Sequence, residues 1–403
     1  MKHLLFTAIF AALTFNIAAQ ERLKQEEEIP IVAWWGIQEN ATSVARFIEL
    51  KEAGININLA HYSSINAAEK ALDAAHKAGV KAMVNCPELF NDTENTVKRL
   101  MKHQGLAGYY LKDEPNVKDF PTLSELVRKI QSVDMKHYCY INLFPNTSEW
   151  GNNEGMAKHY GIETYKEYVN EFVKQVPVPF VSFDHYPIKL VDNGANRKVD
   201  KYWYANLEEI RLCSDRPFWA FALATSHYDY PVPTIAELRL QMFSNLAYGA
   251  QGLQYFTYWW PNQDFSHSPI DYDGRRTDVY DRIKQVNREI RNIAGVFLNS
   301  KVVSVWHVGQ TLLSQTRRID KLPDWIKVIE TGDRRAVVSI LEKGARQFLV
   351  IVNTSINDAM RLTTVLDDSA KRILKDGTIV PANAYSNTMT VDPGDIMLYM
   401  WEK

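Results

Sequence analysis

The sequence alternates between short apolar runs and amphipathic segments eight times between residues 31 and 293. The apolar runs, which predict β-strands, are 31–36, 55–60, 80–85, 106–112, 138–143, 180–183, 217–224 and 253–258. The segments with the apolar spacing of an α-helix are 41–53, 67–78, 93–103, 123–132, 165–175, 202–213, 235–248 and 279–293. Strands that alternate with helices form parallel sheets, and eight such units typically take about 250 residues. The pattern therefore predicts an α/β protein with a (β/α)8 TIM barrel over residues 30–300.

The pattern changes near residue 301, where helical spacing ends. Short β-like runs follow at 302–308, 336–341, 348–353, 360–365, 388–391 and 396–401, with glycine-containing breaks between several of them. We therefore expect a small antiparallel β-sandwich domain over residues 301–403.

The first 19 residues are typical of a secretory signal peptide. Lys2 and His3 precede a largely apolar run that ends at the small pair Ala18-Ala19. An uncleaved anchor is the alternative, but the run is short for a spanning helix and no later segment is long and apolar enough to span. We expect export to the periplasm or the exterior, a polar tether over residues 20–29, and no integral membrane span.

Composition narrows the classes of function. A formal net charge of -2 gives no electrostatic reason to expect nucleic acid. The three cysteines show neither metal-ligand spacing nor a disulfide framework. Neither a phosphate loop nor a dinucleotide fingerprint occurs, so we expect no cofactor. His61, His185 and His227 come from separate strands without motif spacing, which favours hydrogen-bonding histidines over a metal site.

The fourth predicted strand ends in two adjacent carboxylates, Asp113 and Glu114, followed by Pro115. Proline stops the strand because it lacks an N–H and fixes its own φ. Buried carboxylates are costly unless they are hydrogen-bonded or used. An acidic strand-to-helix turn is the simple interpretation, but catalytic residues of such barrels lie at the C-terminal ends of strands. We therefore predict a catalytic role for both acids.

The other strand ends converge on the same face of the barrel and bring carboxylates, amides, histidines and aromatic rings to it. The sixth strand adds Asp184 as a third catalytic candidate, and the seventh ends at Thr225, Ser226 and His227. The predicted substrate-binding residues are Trp34, Trp35, His61, Tyr62, Asn85, Asn142, His185, Tyr186, Tyr258, Trp259 and Trp260. Rings can stack on the apolar face of a pyranose while acids and amides bind its hydroxyls, so we expect a carbohydrate. Core packing is the alternative for each ring.

These features resemble clan A glycoside hydrolases, in particular β-galactosidase-like barrel enzymes of the secreted bacterial type. The likeness is carried by the βα order, the strand end Lys112-Asp113-Glu114-Pro115, the aromatic eighth strand at 255–260 and the trailing β domain. In that clan the fourth strand ends in Asn-Glu, and the resemblance implies that Glu114 is the general acid/base. Asp113 replaces the Asn. The clan's nucleophile ends the seventh strand, where residues 218–226 contain no carboxylate.

Glycoside hydrolysis normally needs a second catalytic group, and the sequence does not identify it. Asp184 is the first option, as nucleophile or as base for water. Long-loop acids are the second: Glu149, Glu154, Asp271 and Asp273. A substrate acetamido group is the third, since the Asp-Glu pair also resembles that of β-N-acetylhexosaminidases. Glu237 belongs to a capping box with Thr234 and is assigned to the helix start.

Adjacency predicts that Asp113 raises the pKa of Glu114, which would keep Glu114 protonated as a general acid. Strict alternation along a strand would instead point the two acids to opposite faces. A non-catalytic carbohydrate-binding barrel is the alternative function, favoured by the missing seventh-strand carboxylate. A lyase or epimerase is a third hypothesis. Such an enzyme would be expected to have a metal triad or a suitably placed lysine, and the strand ends offer no clear one.

Overall fold

The computed structural model describes residues 21–23, 28–146, 153–309, 316–384 and 386–403, without the side chains of residues 153, 154, 156 and 157. The predicted signal peptide, residues 1–19, lies outside the described residues. Within the described part of the chain, no helix is long and apolar enough to cross a membrane.

The first part of the chain contains twelve strands and ten α-helices among the described residues. The strands are β1 Ile31–Trp34, β2 Ile57–His61, β3 Lys81–Asn85, β4 Leu106–Asp113, β5 Tyr138–Leu143, β6 Val181–Phe183, β7 Ile188–Val191, β8 Asn196–Val199, β9 Phe218–Leu223, β10 Ser226–His227, β11 Gly252–Phe256 and β12 Phe265–Ser266. The helices are α1 Val44–Glu52, α2 Ile65–Ala78, α3 Pro87–Asn91, α4 Thr93–Leu100, α5 Phe120–Gln131, α6 Asn153–Tyr160, α7 Tyr165–Gln175, α8 Trp203–Cys213, α9 Ile235–Ala247 and α10 Asp278–Phe297.

Eight of these strands close into a parallel barrel in the order β1-β11-β9-β6-β5-β4-β3-β2. The predicted (β/α)8 barrel is confirmed. The other four strands form two antiparallel pairs, β7 with β8 and β10 with β12. They follow the C-terminal ends of barrel strands, so they lie at the mouth, and sequence periodicity did not reveal them because each is only two to four residues long.

Aromatic side chains fill the interior of the barrel. Trp34 meets Tyr110 edge to face with 5.0 Å between ring centroids, and Phe180 stacks on Trp219 at 4.0 Å. Tyr140 is fully buried between these pairs. Offset and edge-to-face contacts of this kind are favourable beyond the area that they bury. The interior is therefore a packed core rather than a channel for a ligand.

Local capping fixes where the helices begin. The Ser64 side chain accepts a hydrogen bond from the N–H of Ala67 at the start of α2. At α9 the predicted capping box is confirmed, since Glu237 accepts from the Thr234 N–H at 2.8 Å and Thr234 accepts from the Glu237 N–H at 3.2 Å. Glu237 also pairs with Arg197 at 2.5 Å. Its carboxylate therefore belongs to the helix start and to a partly buried ion pair.

The C-terminal part of the chain is antiparallel β structure, as the sequence predicts. Its strands are β13 Lys301–Val308, β14 Ile326–Glu330, β15 Ala336–Lys343, β16 Arg346–Asn353, β17 Met360–Leu366, β18 Lys371–Ile373, β19 Ile379–Pro381, β20 Thr388–Val391 and β21 Ile396–Glu402. They form a six-stranded sheet, β13-β15-β16-β21-β18-β19, and a three-stranded sheet, β14-β17-β20. Strands β14, β18 and β19 lay outside the predicted runs.

The predicted tether is partly bound to this sheet structure. Residue Ile379 donates its N–H to the carbonyl of Glu21 at 2.9 Å, and Leu23 donates to the carbonyl of Gly377 at 2.9 Å. Residues 21–23 therefore run along the edge of the C-terminal β structure.

A charge network joins the outer wall of the barrel to the C-terminal domain. Arg239 on α9 donates two hydrogen bonds to Glu289 on α10, at 2.9 and 2.5 Å. Lys375 lies 2.5 Å from Asp395 in the C-terminal domain and 3.8 Å from Glu289. Asp395 is also 3.9 Å from Arg239. The four side chains neutralise one another, which allows Arg239 and Glu289 to be about nine-tenths buried.

We expect Arg239→Ala to lower the free energy of unfolding by about 3–5 kcal/mol, because it leaves a buried carboxylate without its main partner. Urea unfolding followed by circular dichroism measures this change. The double variant Arg239→Met/Glu289→Leu is the matched control and should cost less, since it removes both charges. Equal losses in the two variants would contradict an electrostatic role for the pair.

Candidate active site

A β-bulge at the end of β4 sets the direction of the predicted catalytic acids. Tyr110 pairs with Tyr140 on β5, but the next pairs are Lys112 with Ile141 and Asp113 with Asn142, so β4 carries one extra residue. Such a bulge breaks the alternation of the strand and re-aims the side chains beyond it. Asp113 consequently faces the same side of the sheet as Asn142.

Glu114 has a left-handed backbone, with φ of 43°. Its N–H donates to the carbonyl of Asn142 at 2.8 Å, so the pairing with β5 continues past Asp113. A non-glycine residue in this region is strained and persists only where the surroundings hold it. The hydroxyl of Tyr168 donates to the carbonyl of Pro115 at 2.7 Å and anchors the next residue. The bulge and this turn together bring both acids to the mouth.

The side-chain amide of Asn142 links two of the three catalytic candidates. Its nitrogen donates to Asp113 at 3.2 Å and to Asp184 at 2.9 Å. Its oxygen accepts from the hydroxyl of Ser182 at 2.9 Å, and Ser182 accepts from Gln254 at 2.8 Å. This chain of donors fixes which end of the amide faces the acids. Carboxyls from β4 and β6 are therefore held beside one nitrogen atom.

All three acids have raised pKa values. Burial raises the pKa of Glu114 well above its usual range, and the charge of Asp184, the charge of Asp113 and a hydrogen bond to Asp184 raise it further. Burial and the charge of Asp113 raise the pKa of Asp184, although its bond to Asn142 opposes this. Burial raises the pKa of Asp113 to about 6. Asp113 is open to solvent at the mouth, but protein surrounds it on most other sides.

A cavity of about 380 Å³ lies over the three acids. Its lining residues are Asp113, Glu114, Pro145, Asp184, His185, Tyr186, Lys189, Asp200, His227, Tyr228, Tyr230 and Phe256. A larger surface groove, of about 490 Å³, lies on the outer wall beside α10 and is lined by none of the residues at the barrel mouth. The smaller cavity is the candidate site because the acids with raised pKa values line it.

His185 is held by hydrogen bonds on both edges of its ring. One ring nitrogen lies 2.9 Å from the amide oxygen of Asn206, and the other lies 3.5 Å from Asp200. Burial would raise the pKa of Asp200, but the hydrogen bond and charge of His185 leave it below the usual range. The charge of His185 also lowers the pKa of Asp184 in part.

Aromatic rings form part of the cavity lining. His227 lies between Tyr230 and Phe265, with ring centroids 4.8 Å away on each side. Burial lowers the pKa of His227 to about 4, so the ring is neutral near pH 7. Tyr186 stacks on Phe256 at 5.3 Å. The cavity therefore combines apolar ring faces with carboxyl groups, which suits a sugar ring.

The structure brings only part of the predicted substrate-binding set to this cavity. His185 and Tyr186 line it, and Asn142 supports two of its acids. Trp35, His61 and Asn85 lie together on the neighbouring side of the mouth, around Tyr110: the rings of Trp35 and His61 are 5.9 Å apart, and Asn85 donates to the carbonyl of Tyr110 at 2.9 Å.

The other five predicted substrate-binding aromatics lie outside the lining of this cavity. The side chain of Trp34 leaves its strand on the inner face and packs inside the barrel. The side chains of Tyr62 and Tyr258 leave on the outer face and are buried in the main core. Trp259 packs under the guanidinium of Arg46, 5.1 Å from its ring centroid. Trp260 donates its indole N–H to the carbonyl of Asn262.

The loop acids do not join the cluster in the described part of the chain. Asp271 and Asp273 both pair with Arg275, outside the cavity lining. Glu149 lies outside the described residues, as does the side chain of Glu154. At the end of β9, Thr225 makes a hydroxyl contact with Ser268 at 2.8 Å.

No group of three or more His, Cys, Asp and Glu side chains arranged to hold a metal ion occurs among the described residues.

Lys189, Asp200, Tyr228, Tyr230 and Phe256 are cavity residues that strand-end reasoning missed. Phe256 lies just before the residues chosen at the eighth strand, and the others come from the small β pairs at the mouth or the segments that join them. The stretch Tyr228-Asp-Tyr-Pro231 carries a usable signal, since a proline-ended aromatic turn directly after a barrel strand is placed to line the mouth.

The fold is similar to solved glycosidase structures. A catalytic mutant of Gan42B, a GH42 beta-galactosidase from G. stearothermophilus, has a TM-score of 0.62 at 7% sequence identity, covering 95% of this chain and 100% of that chain. An alpha-L-arabinofuranosidase from Thermotoga maritima has a TM-score of 0.47 at 10% identity, covering 95% and 97%. No family model and no curated protein matches the sequence. The predicted resemblance is confirmed for the fold.

Proposed function

We propose that this protein is an exported glycoside hydrolase that cleaves glycosidic bonds of a poly- or oligosaccharide, with Glu114 as general acid/base. The observation that carries the proposal is the position of Glu114 at the end of β4, in hydrogen-bond contact with Asp184 and with its pKa raised. A carboxyl that stays protonated near neutral pH can donate a proton to a leaving oxygen.

Asp184 is the second catalytic group in this proposal. Its carboxylate forms a bond to the anomeric carbon while the glycosidic C–O bond breaks and the proton of Glu114 passes to the leaving oxygen. Water then attacks the same carbon, its proton returns to Glu114, and the sugar–Asp184 bond breaks. Two successive displacements at the same carbon restore the starting configuration, so we expect retention of configuration.

Asp113 is assigned to substrate binding and to tuning of the other acids. It is held by Asn142 and exposed to the cavity, so it can accept a hydrogen bond from a sugar hydroxyl or from an acetamido N–H. A substrate acetamido group that attacks in place of Asp184 is the alternative mechanism, and it also gives retention.

The Glu114→Gln variant should lose cleavage by about 10²–10⁴-fold, because glutamine cannot donate the proton. A screen of aryl glycosides and neutral oligosaccharides measures this, and proton NMR of the first product identifies the anomer. Asp184→Asn separates the two mechanisms. It should abolish cleavage of sugars without an acetamido group if Asp184 is the nucleophile, whereas activity confined to acetamido sugars supports the alternative. An inverted first product would contradict both.

The Asp113→Asn variant should shift the pH profile of kcat to lower pH. The charge of Asp113 raises the pKa of both Glu114 and Asp184, so its removal lets Glu114 deprotonate at lower pH and Asp184 ionise at lower pH. The loss of activity at high pH should therefore begin at a lower pH than in the wild type. The rise of activity on the acidic side of the profile should also move to lower pH. Asp271→Asn is the control, since Asp271 pairs with Arg275. Identical profiles for the wild type and Asp113→Asn would rule out this tuning.

A non-catalytic carbohydrate-binding barrel is the second candidate function. It is favoured by the end of β9, where Ala224, Thr225 and Ser226 stand at the position of the clan nucleophile. Binding of glycans by both the wild type and Glu114→Gln, without cleavage by either at any pH, would support this candidate and leave Glu114 as a sugar ligand.

Export is the part of the proposal that rests on residues 1–19 alone. Because a signal peptidase would remove this segment, we expect the mature protein to begin near residue 20. Cell fractionation followed by N-terminal sequencing tests it. Protein that is found in the cytoplasm and still begins at Met1 would contradict export.

A further inference from the structure

Tyr228 is the most exposed large side chain that lines the candidate active site. Tyr228 is 83% exposed, although it borders the cavity over the three acids. Its ring contact is with the neighbouring His227, at 5.4 Å between centroids. Tyr186, Tyr230 and Phe256 line the same cavity more deeply. Tyr228 therefore extends the aromatic lining outward, beyond the space that the acids enclose.

The turn that carries Tyr228 is held firmly. His227 and Tyr230 exchange backbone hydrogen bonds at 3.3 and 2.8 Å, and the hydroxyl of Ser226 donates to the carbonyl of Tyr230 at 2.9 Å. The pairing of His227 with Phe265 joins the turn to the next connection at the mouth. The ring of Tyr228 is consequently displayed on a fixed support.

The backbone at Tyr228 is the kind that favours glycine. It is the first of the two central residues of the turn, with φ of 50°. Tight turns with positive φ at this position prefer glycine, and a bulky side chain there is unfavourable. The ring also contributes little to the core, since most of it is exposed. Folding alone therefore gives no reason for a tyrosine at this position.

We propose that Tyr228 is a platform on which a second sugar unit stacks, so that the substrate is an oligosaccharide or polysaccharide extending past the cavity. This inference rests on the proposed carbohydrate substrate but not on a particular catalytic mechanism. An exposed tyrosine ring offers a flat apolar face to the C–H face of a pyranose, and its hydroxyl can bind a sugar hydroxyl. The cavity holds the unit at the acids, and Tyr228 holds the next unit outside.

The test compares a neutral aryl monoglycoside with neutral oligosaccharides of the same sugar, chosen from the substrate screen. The quantity measured is the ratio of kcat/KM for the oligosaccharide to kcat/KM for the monoglycoside. In Tyr228→Ala we expect this ratio to fall about three- to tenfold, as expected for the loss of one stacking contact. By calorimetry, the double variant Tyr228→Ala/Glu114→Gln should bind the oligosaccharide more weakly than Glu114→Gln alone, by a similar factor.

Two variants provide the controls. Tyr272→Ala removes another tyrosine, 66% exposed, that does not line the cavity, so it should leave the ratio unchanged. Tyr228→Gly should melt at the wild-type temperature or above it, since glycine relieves the strained backbone, yet its ratio should fall as in Tyr228→Ala. A lowered melting temperature would assign Tyr228 a structural role and overturn the proposal.

The outcomes separate this inference from the proposed function. If the wild type acts on or binds the glycans and the ratio is unchanged in Tyr228→Ala, the platform is wrong while the proposed function stands. A fall of equal size for the monoglycoside and the oligosaccharide also overturns the platform, because Tyr228 would then serve the first sugar unit. If the wild type neither cleaves nor binds any glycan, the proposed function and the platform both fail.

Discussion

The amide of Asn142 is the contact on which the candidate site depends. One nitrogen atom bonds to carboxyls from two different strands, Asp113 and Asp184, and its oxygen is fixed by Ser182. Like charges at this distance repel each other, and a neutral donor offsets only part of that repulsion. Protonation is therefore favoured within the cluster. The third carboxyl, Glu114, contacts Asp184 and has the most strongly raised pKa of the three.

The filled barrel decides where such a cluster can work. Rings of Trp34, Tyr110, Tyr140 and Trp219 close the interior, so the acids lie on a packed floor rather than in a channel. Apart from Phe256 at the end of β11, the walls come mainly from the segments that follow β6 and β9, including their small β pairs. The floor fixes the acids, while the walls bear the residues that we expect to distinguish one sugar from another.

The sequence predicts the barrel well because hydrophobic periodicity is a local signal repeated eight times. The sequence predicts less well which side chains at the strand ends reach the mouth of the barrel. Tyr62 and Tyr258 stand at the expected positions, yet their side chains enter the core, since a position at a strand end does not specify the face. At Asp113 and Glu114, simple alternation along the strand would separate the two side chains. The bulge before Asp113 and the left-handed backbone of Glu114 together bring both to the mouth.

The sequence by itself determined the βα units, the antiparallel C-terminal strands, the capping box at Thr234 and the acidic end of β4. All of these depend on residues close together in the chain. The tertiary structure alone decided that Asp184 meets Glu114, that Asn142 bridges the acids, and that the turn of Tyr228 borders the cavity. These contacts join residues far apart in sequence, and they exist only because closure of the barrel and the shifted register of β4 set which side chains converge.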